Sequence, residues 1–399
     1  MRPLDEHRAA ALALAEPLPI VEVGLADALG RVLADDVRTD ELLPRWDNSA
    51  MDGYAVRRAD VLTVPTVLRV VADLPAGSPD EPALEPGTAA RIMTGAPVPP
   101  GADAIVPVEA TDAGSTTVEI RVAPAPAAHI RRAGEDAVPG DLVLAAGSLL
   151  GPAHVAALAS TGRSSARVHR RPRIAVISTG DELVPPGAEL RRGQLPDSNS
   201  WLLAAAVAEA GAEPLRLGPV ADDPAAMLAL VHELDVDPGV DGVVTSGGVS
   251  MGEYDVVKAA LADSPGVEFV PVAVQPGKPQ GLGRLPGGTP IWALPGNPVS
   301  SFASFEVFVR PALLRMRGLG TVERPSVTAV VDEGWRTPVD RAQLMPVRFV
   351  GDGHVVPATA RGSGSHLVAR LALAEGLAVV PAEVDEVVVG ASVHVLKVT

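Results

Sequence analysis

The chain of 399 residues contains no cysteine, which excludes thiol nucleophiles, cysteine-ligated zinc and iron–sulfur clusters. Its eight histidines are scattered singly, without the pairs that a histidine-based metal site needs. Lysine is also scarce, because only Lys258, Lys278 and Lys397 occur among the 33 basic residues. Aromatic residues make up 3% of the chain, so its cores must consist mainly of alanine, valine and leucine.

Long apolar runs are missing as well, so the sequence predicts no helix that crosses a bilayer. The helical start is interrupted by Asp5, Glu6 and Glu16 and therefore differs from a signal peptide. The formal net charge of −16 disfavours a nucleic-acid surface, which needs a basic stripe. We therefore expect a cytoplasmic protein without a membrane or nucleic-acid partner, in which local features must hold any anionic substrate.

The length predicts two to four domains. Helical patterns flank a β-type region between residues 63 and 122, with strand-like runs at 67–71, 90–93, 104–108 and 117–122, which predicts an all-β domain inserted into a helical one. Helical structure is expected again from Leu142 to Thr161, with a helix that starts at Gly151-Pro152. A doubly wound α/β pattern begins at Pro172, and short strands after Gly318 predict a C-terminal barrel or sandwich. The predicted domains are a helical base (1–45 and 134–170), the inserted all-β domain (46–133), the α/β domain (171–316) and a C-terminal β-barrel (317–399).

The stretch Asp241 to Lys258 combines a buried strand with a ligand-type loop. The strand at 242–245 is β-branched and apolar, and Ser246-Gly247-Gly248-Val249-Ser250 follows it directly. Adjacent glycines allow a sharp turn and leave room for a ligand against bare N–H groups. In an open α/β sheet, ligands bind at such strand-to-helix edges. An ordinary connection whose glycines only relieve strain is the alternative interpretation.

Two further strand ends carry polar groups, at Gly180-Asp181-Glu182 and at Pro295-Gly296-Asn297-Pro298. Asn297 is expected to cap the helix that follows, with Pro298 at its first position. Parallel strands end at one edge of a sheet, so we expect these loops to converge with the Ser246 loop in one crevice. Glu182, Asp222 and Asp255 offer hard oxygen ligands there, and Lys278 offers a positive charge.

Carboxylates beside an anion site suggest a bridging Mg²⁺, because they would otherwise repel the substrate. The pattern indicates nucleotide or phosphate-ester chemistry without naming a substrate. Helix capping by Asp222 or Asp223 ahead of Pro224 is an alternative interpretation of that acidic pair.

Irregular polar segments outside the α/β region are harder to interpret. The stretch from Arg45 to Arg57 is typical of a functional loop, although a linker between domains is the alternative. Thr94-Gly95 ends a strand with a hydroxyl and free donors, and Arg131 to Asp136 has the composition of a solvated turn. His366 is interpreted as a surface or structural histidine.

Taken together, these motifs resemble the molybdopterin molybdenumtransferase family, which includes the gephyrin E domain. The resemblance covers almost the whole chain, and its motifs occur in the order of the family: DNSAMDGYAV, RIMTGAPVPPGADAIV, RRAGED, STGDEL, SGGVSMGEYD, PGKP, LPGNPVS and GSGSH. It implies a four-domain homodimer with the crevice between the α/β domain of one subunit and the β domain of the other. It also implies Mg²⁺-dependent insertion of molybdate into adenylylated molybdopterin, which releases AMP and gives molybdenum cofactor.

The resemblance assigns roles residue by residue. Asp52, Thr94, Arg131 and Asp136 match the residues on the partner side, and Glu182, Asp222, Asp255 and Lys278 match the crevice. All of these except Arg131 and Asp136 are expected to be catalytic, and Glu182, Asp222 and Asp255 are the expected metal ligands. The expected substrate-binding residues are Arg131, Asp136, Ser246, Gly247, Gly248, Ser250, Pro295, Asn297 and Pro298.

Three positions depart from the family. Lysines are common in the family where this chain has Pro271 and Gln275, and an arginine where it has Pro346, with Arg348 two places on. These losses weaken attraction for an oxyanion and favour a paralogue with altered preference, such as tungstate.

Two other functions are alternatives to the molybdenumtransferase. One is a non-catalytic pterin-binding or cofactor-delivery scaffold. The other is the related molybdopterin adenylyltransferase, which usually has GGTG where Gly247-Gly248-Val249-Ser250 stands here and lacks the β domains. Possible partners are that adenylyltransferase and molybdoenzyme acceptors.

Overall fold

A computed structural model describes residues 1–249, 255–359 and 364–398 of the chain. Separate apolar cores lie on the two faces of the α/β sheet, inside the C-terminal barrel, on the two faces of the inserted β sheet and in the base. None of the described helices is long and apolar enough to cross a membrane.

The elements of the N-terminal half belong to the base and the inserted domain. In chain order they are α1 (Leu4–Ala13), β1 (Ile20–Gly24), α2 (Leu25–Ala28), β2 (Val37–Arg38), β3 (Asn48–Ser49), β4 (Gly53–Val56), a 3-10 turn (Arg58–Val61), β5 (Thr66–Leu74), β6 (Thr88–Ile92), β7 (Ala104–Pro107), a 3-10 turn (Val108–Ala110), β8 (Thr117–Ile120), β9 (Ile130–Arg131), β10 (Leu142–Leu144), α3 (Pro152–Ser160) and β11 (Ser165–His169).

The base contains paired strands as well as helices. β1 pairs antiparallel with β11, and β2 pairs with β10, so the chain between β2 and β10 leaves the base and returns to it. The predicted insertion is therefore confirmed, while the domain boundaries stay predictions. The expectation of helical structure from Leu142 is wrong for β10, because three residues paired with a distant strand carry too little periodicity to be recognised. The helix expected at Pro152 is present.

The inserted domain is a five-stranded sheet in the order β7-β4-β6-β5-β8. Tyr54 and Val56 of β4 pack into the core on one face and Ala55 into the core on the other, as the two-residue period of a strand requires. The predicted strands near 67–71, 90–93, 104–108 and 117–122 are confirmed with shifted ends.

The α/β domain follows the base. Its elements are β12 (Arg173–Thr179), β13 (Leu183–Val184), β14 (Leu195–Pro196), α4 (Asn199–Glu209), β15 (Glu213–Val220), α5 (Pro224–Val236), β16 (Gly242–Ser246), α6 (Val256–Leu261), β17 (Val267–Pro271), β18 (Val274–Gln275), β19 (Pro279–Arg284), β20 (Pro290–Leu294), α7 (Pro298–Ser304), a π-helical turn (Phe305–Val309) and α8 (Arg310–Met316).

The sheet of this domain has the order β15-β12-β16-β20-β19-β17. Pairing of β12 with β15 and β16, and of β16 with β20, is parallel, whereas β19 runs antiparallel to both of its neighbours. The stretch at 267–275 forms two strands. β17 ends at Pro271, which has no amide hydrogen to donate, and β18 leaves the sheet to pair with the C-terminal domain.

The C-terminal domain is a closed five-stranded barrel. Of the barrel and the sandwich expected from the sequence, the barrel is therefore confirmed. Its strands close in the order β23-β24-β21-β27-β25 and back to β23, with β18 added alongside β23. The elements are β21 (Ser326–Val331), β22 (Trp335–Arg336), β23 (Ala342–Phe349), β24 (His354–Pro357), α9 (Val368–Leu371), β25 (Gly376–Val380), β26 (Glu386–Val387) and β27 (Ser392–Lys397).

The first helix packs on the α/β core through Ala11 and an unusual histidine. His7 is 1% exposed, and its ring meets Phe308 edge to face with centroids 4.7 Å apart. Its Nδ1 has no hydrogen-bond partner in the described part of the chain. Burial, with a smaller contribution from the positive charge of Arg2, lowers the pKa of His7 to about 4.

The buried neutral ring predicts a pH-dependent stability. The unfolded chain protonates this histidine near pH 6.5, whereas the folded chain protonates it only near pH 4. The free energy of unfolding should therefore fall by up to about 3 kcal/mol as pH falls through that window. In denaturant titrations, His7→Leu should remove this loss, so wild type and variant should diverge between pH 7.5 and pH 4. The exposed control His232→Leu should follow wild type. An equal difference between wild type and His7→Leu at both pH values would contradict the assignment.

Candidate functional site

A crevice of about 950 Å³ lies at the sheet edge where β12, β16 and β20 end. The predicted convergence is confirmed, since the crevice is lined by these predicted site residues: Glu182, Asp222, Ser246, Gly247, Gly248, Asp255, Lys278, Pro295, Asn297 and Pro298. Ser250 lies outside the described residues. The chemical roles of all these residues stay predictions.

Gly247 and Gly248 let the loop after β16 lie close to its neighbours. Their φ angles are +99° and +66°, a region that residues with a side chain rarely adopt. A Cβ on Gly247 would lie 2.7 Å from the Thr179 hydroxyl, and one on Gly248 would lie 2.8 Å from the Val257 amide nitrogen. The glycines are therefore required by close packing as well as by the turn, and a role in ligand binding stays a prediction.

Ser246 anchors the floor of the crevice through a buried hydrogen-bond network. The Asn199 side-chain amide donates to the Ser246 hydroxyl at 2.9 Å and to the Gly296 carbonyl. The Ser301 hydroxyl donates to the Pro295 carbonyl, and the Ser246 hydroxyl, 2.9 Å from that of Ser301 and 3.3 Å from the carbonyl, donates its single proton to one of the two. These hydrogen bonds hold the loops after β16 and β20 against α4 and α7. Among the described residues, the hydrogen bonds of the Ser246 hydroxyl all lie within this network.

Asp197 is a second buried anchor at the crevice. It is 1% exposed and accepts hydrogen bonds from the Ser178 hydroxyl at 2.8 Å and from the Ser200 amide at 3.1 Å. The Ser200 hydroxyl donates to the same carboxylate. These bonds fix the start of α4 against the end of β12, which positions the loop that carries Glu182.

The acidic end of the crevice lies where β15 and β12 end. Backbone amides of Asp181 and Asp222 donate to each other's carboxylates at 3.3 and 3.0 Å, which joins the loops after the two strands. Asp223, by contrast, caps α5 by accepting from the Ala225 amide at 2.9 Å. The capping alternative therefore applies to Asp223, and Asp222 faces the crevice.

Mg²⁺ fits the donor chemistry of this end. Glu182, Asp222 and Asp255 line one crevice, but the described residues contain no group of three acidic or histidine side chains close enough to hold a metal alone. Mg²⁺ commonly takes one or two protein carboxylates and completes its shell with water and substrate phosphates. These carboxylates therefore fit a metal that arrives with its substrate rather than one held in a protein cage.

The opposite end of the crevice is formed by the loop between β17 and β19 and by the C-terminal barrel. Gln275 and Lys278 lie on that loop, and Arg341, Ser365 and His366 reach the crevice from the barrel. The Val299 amide donates to the Ser365 carbonyl at 3.0 Å, which fixes this contact. His366, interpreted from sequence as a surface or structural residue, is exposed but belongs to the crevice wall.

Asn297 occupies the residue before α7, as expected, with Pro298 at its first position. Its side chain makes no capping hydrogen bond within the described residues, so the expectation that it caps the helix is wrong. The side chain is exposed at the crevice instead.

Of the residues assigned to the partner side, Asp52, Thr94 and Arg131 lie in the inserted domain and Asp136 lies just beyond it. None of them is among the described lining residues of this crevice. The Asp52 carboxylate accepts from the Thr94 amide at 2.7 Å and from its hydroxyl at 2.8 Å. These bonds, the backbone bond first, hold the pKa of Asp52 below its ordinary value. Both residues are exposed, and the Asp52 carboxylate is charged at neutral pH.

Arg131 and Asp136 lie on a neighbouring loop. Arg131 pairs with Asn48 in a two-stranded ribbon, and the Asp136 amide donates to the Leu43 carbonyl at 2.9 Å. The Asp47 carboxylate accepts from the Ala133 amide at 2.8 Å and from the Arg132 guanidinium. The polar stretch from Arg45 to Arg57 is thus a folded part of the domain rather than a bare linker.

The three departures from the family lie in different environments. Gln275 lines the crevice, Pro271 is exposed at the end of β17, and Pro346 is buried in β23. Arg348 lies beside a separate depression with Glu333 and Arg370. It therefore does not replace a cation in the crevice.

Comparison with known proteins agrees with these features. Three family models match: "MoeA N-terminal region (domain I and II)" over residues 2–162, "Probable molybdopterin binding domain" over 175–315 and "MoeA C-terminal region (domain IV)" over 328–398. Molybdopterin molybdenumtransferase 2 of Mycobacterium tuberculosis (strain ATCC 25618 / H37Rv) is 44% identical over 410 residues that cover 100% of both chains. The chain belongs to the MoeA family.

Other members of the MoeA family extend this agreement to structure. Molybdopterin molybdenumtransferase 1 of the same bacterium is 36% identical and covers 99% of this chain and 98% of its own. The crystal structure of the molybdopterin biosynthesis MoeA protein from Pyrococcus horikoshii superposes with a TM-score of 0.84 at 32% identity, covering 99% of this chain and 98% of that one.

Asp197, Asn199 and Arg341 line the MoeA crevice but were not predicted from the sequence. The polar run Asp197-Ser198-Asn199 ahead of an apolar helix was a usable signal, because such residues favour helix starts at strand-to-helix edges. Arg341 gave no local signal, since only the pairing of β23 with β18 brings the barrel to this edge.

Proposed function

We propose that this protein is a molybdopterin molybdenumtransferase, which inserts molybdate into adenylylated molybdopterin, releases AMP and gives molybdenum cofactor. The observation that carries the proposal is the single crevice into which Glu182, Asp222, Asp255 and Lys278 converge from four loops. Full-length relatives named for this activity support it.

The residues of the crevice have complementary tasks in this proposal. Glu182, Asp222 and Asp255 would hold Mg²⁺ together with the substrate pyrophosphate, and Mg²⁺ when bound supplies Lewis-acid neutralisation of those oxygens. Gly247 and Gly248 let the substrate approach the backbone closely. Lys278 attracts the oxyanion.

We also propose that a homodimer completes the site, with Asp52, Thr94, Arg131 and Asp136 supplied by the second subunit. In support, all four residues are exposed, Asp52 and Thr94 are hydrogen-bonded to each other, and none of the four is among the described residues that line the crevice of one chain. A cytoplasmic location, and an adenylyltransferase donor and molybdoenzyme acceptors as partners, belong to the same proposal.

The test is to incubate the purified protein with adenylylated molybdopterin, Mg²⁺ and either molybdate or tungstate, and to follow AMP. Oxyanion-dependent AMP release is expected, and Asp255→Ala should reduce it at least about a hundredfold, because a ligand of the reacting phosphates is lost. Asp263→Ala, an exposed site just beyond α6, is the matched control and should retain full activity.

Full activity of Asp255→Ala would remove this carboxylate from the reaction. Pterin binding without any response to molybdate or tungstate would identify the scaffold alternative instead. A stronger response to tungstate would identify a paralogue with altered preference.

Complementation tests the proposed dimer. Chains carrying Asp52→Ala and chains carrying Asp255→Ala should each be inactive alone, but a heterodimer would hold one intact site and one doubly altered site. Random pairing on co-expression should therefore restore about a quarter of wild-type AMP release. Activity that stays at the level of the separate variants would show that both residues serve one chain's site.

A further inference from the structure

We propose that Arg341 of the C-terminal barrel binds the free oxyanion substrate together with Lys278, and that it sets the oxyanion affinity of this enzyme. The inference rests on the proposed function and extends it to a residue in another domain. It follows from the inventory of charges in the crevice and from the order of the loops along the sheet edge.

The crevice is rich in carboxylates and poor in cations. Its described lining includes the acidic residues Glu182, Asp197, Asp222 and Asp255, but only two residues with a permanent positive charge, Lys278 and Arg341. Two negative charges on a small oxyanion would be repelled by this lining except where the cations lie. Arg341 is thus half of the fixed positive charge that the described wall offers.

Strand order separates the two kinds of charge. Along the edge, Asp222 follows β15, Glu182 follows β12, Asp255 follows the β16 loop, and Lys278 directly precedes the reversed strand β19. Neighbouring strands lie about 4.8 Å apart, so the β12 and β19 ends are separated by about 14 Å. A metal-bound pyrophosphate and a free oxyanion therefore have distinct places in one crevice.

Pairing of the barrel with β18 brings Arg341 to the cationic end. β18 and β23 are parallel with Val274 opposite Ala342, and the Ala342 amide donates to the Ala273 carbonyl at 3.0 Å. Arg341 directly precedes this paired residue and lies beside the loop that carries Gln275 and Lys278.

The Arg341 side chain is available for a ligand. The residue is half-buried, and its guanidinium makes no hydrogen bond or ion pair with the described residues 1–249, 255–359 and 364–398. Its planar group presents several N–H donors to two oxygens at once, which suits a tetrahedral oxyanion. Gln275, which also lines this end, is uncharged, so among the described lining residues the fixed positive charge comes from Lys278 and Arg341.

Substitution of Arg341 tests the proposal by two readouts. In equilibrium dialysis with molybdate, Arg341→Gln should raise Kd about tenfold or more, and Arg341→Lys should raise it less because the charge remains. In AMP release, Arg341→Gln should raise KM for molybdate and leave KM for adenylylated molybdopterin unchanged. The matched control is Arg348→Gln, an exposed arginine of β23 outside the crevice, which should behave as wild type.

The outcomes separate the inference from the function on which it rests. A wild type that neither binds molybdate nor releases AMP overturns both. An active wild type with unchanged molybdate Kd and KM in Arg341→Gln overturns the role of Arg341 alone. A raised KM for adenylylated molybdopterin with an unchanged molybdate KM also overturns it, because the arginine would then bind the substrate phosphate. Calorimetric unfolding checks that Arg341→Gln is folded.

Discussion

The site depends on the backbone hydrogen bonding of the α/β sheet. Parallel pairing of β12 with β15 and β16, and of β16 with β20, makes their loops emerge at one edge. The reversed direction of β19 adds its first residues, and with them Lys278, to that edge. Residues nearly a hundred positions apart, such as Glu182 and Lys278, therefore line the same crevice.

Buried polar contacts keep these loops in place beneath the crevice. Ser246, Asn199 and Ser301 join three elements through hydrogen bonds, while Asp197 fixes α4 against β12. Burying a polar group costs free energy unless the group is hydrogen-bonded. Such networks therefore specify one loop arrangement rather than adding much net stability. The side chains that face the substrate can then stay exposed and charged in a protein whose overall charge would repel an anion.

Much of the fold was predictable because the α/β strands are long, apolar and followed by glycine-containing loops, and because parallel strands share one edge. Convergence of Glu182 and Asp255 followed from that rule alone, whereas Lys278 lies at this edge because the antiparallel strand β19 begins there. Strands of two or three residues, such as β10 and β18, were missed because their partners lie far away in sequence and they carry no periodicity. Arg341 was missed for the same reason, since a strand pairing between domains brings it to the crevice.

The most direct measurement of the central claim is anomalous diffraction from crystals of the protein soaked with tungstate, a heavier chemical relative of molybdate. The account predicts a tungsten peak at the cationic end of the crevice, in contact with Lys278 and Arg341. A peak among Glu182, Asp222 and Asp255, or one outside the crevice altogether, would contradict the separation of charge along the sheet edge.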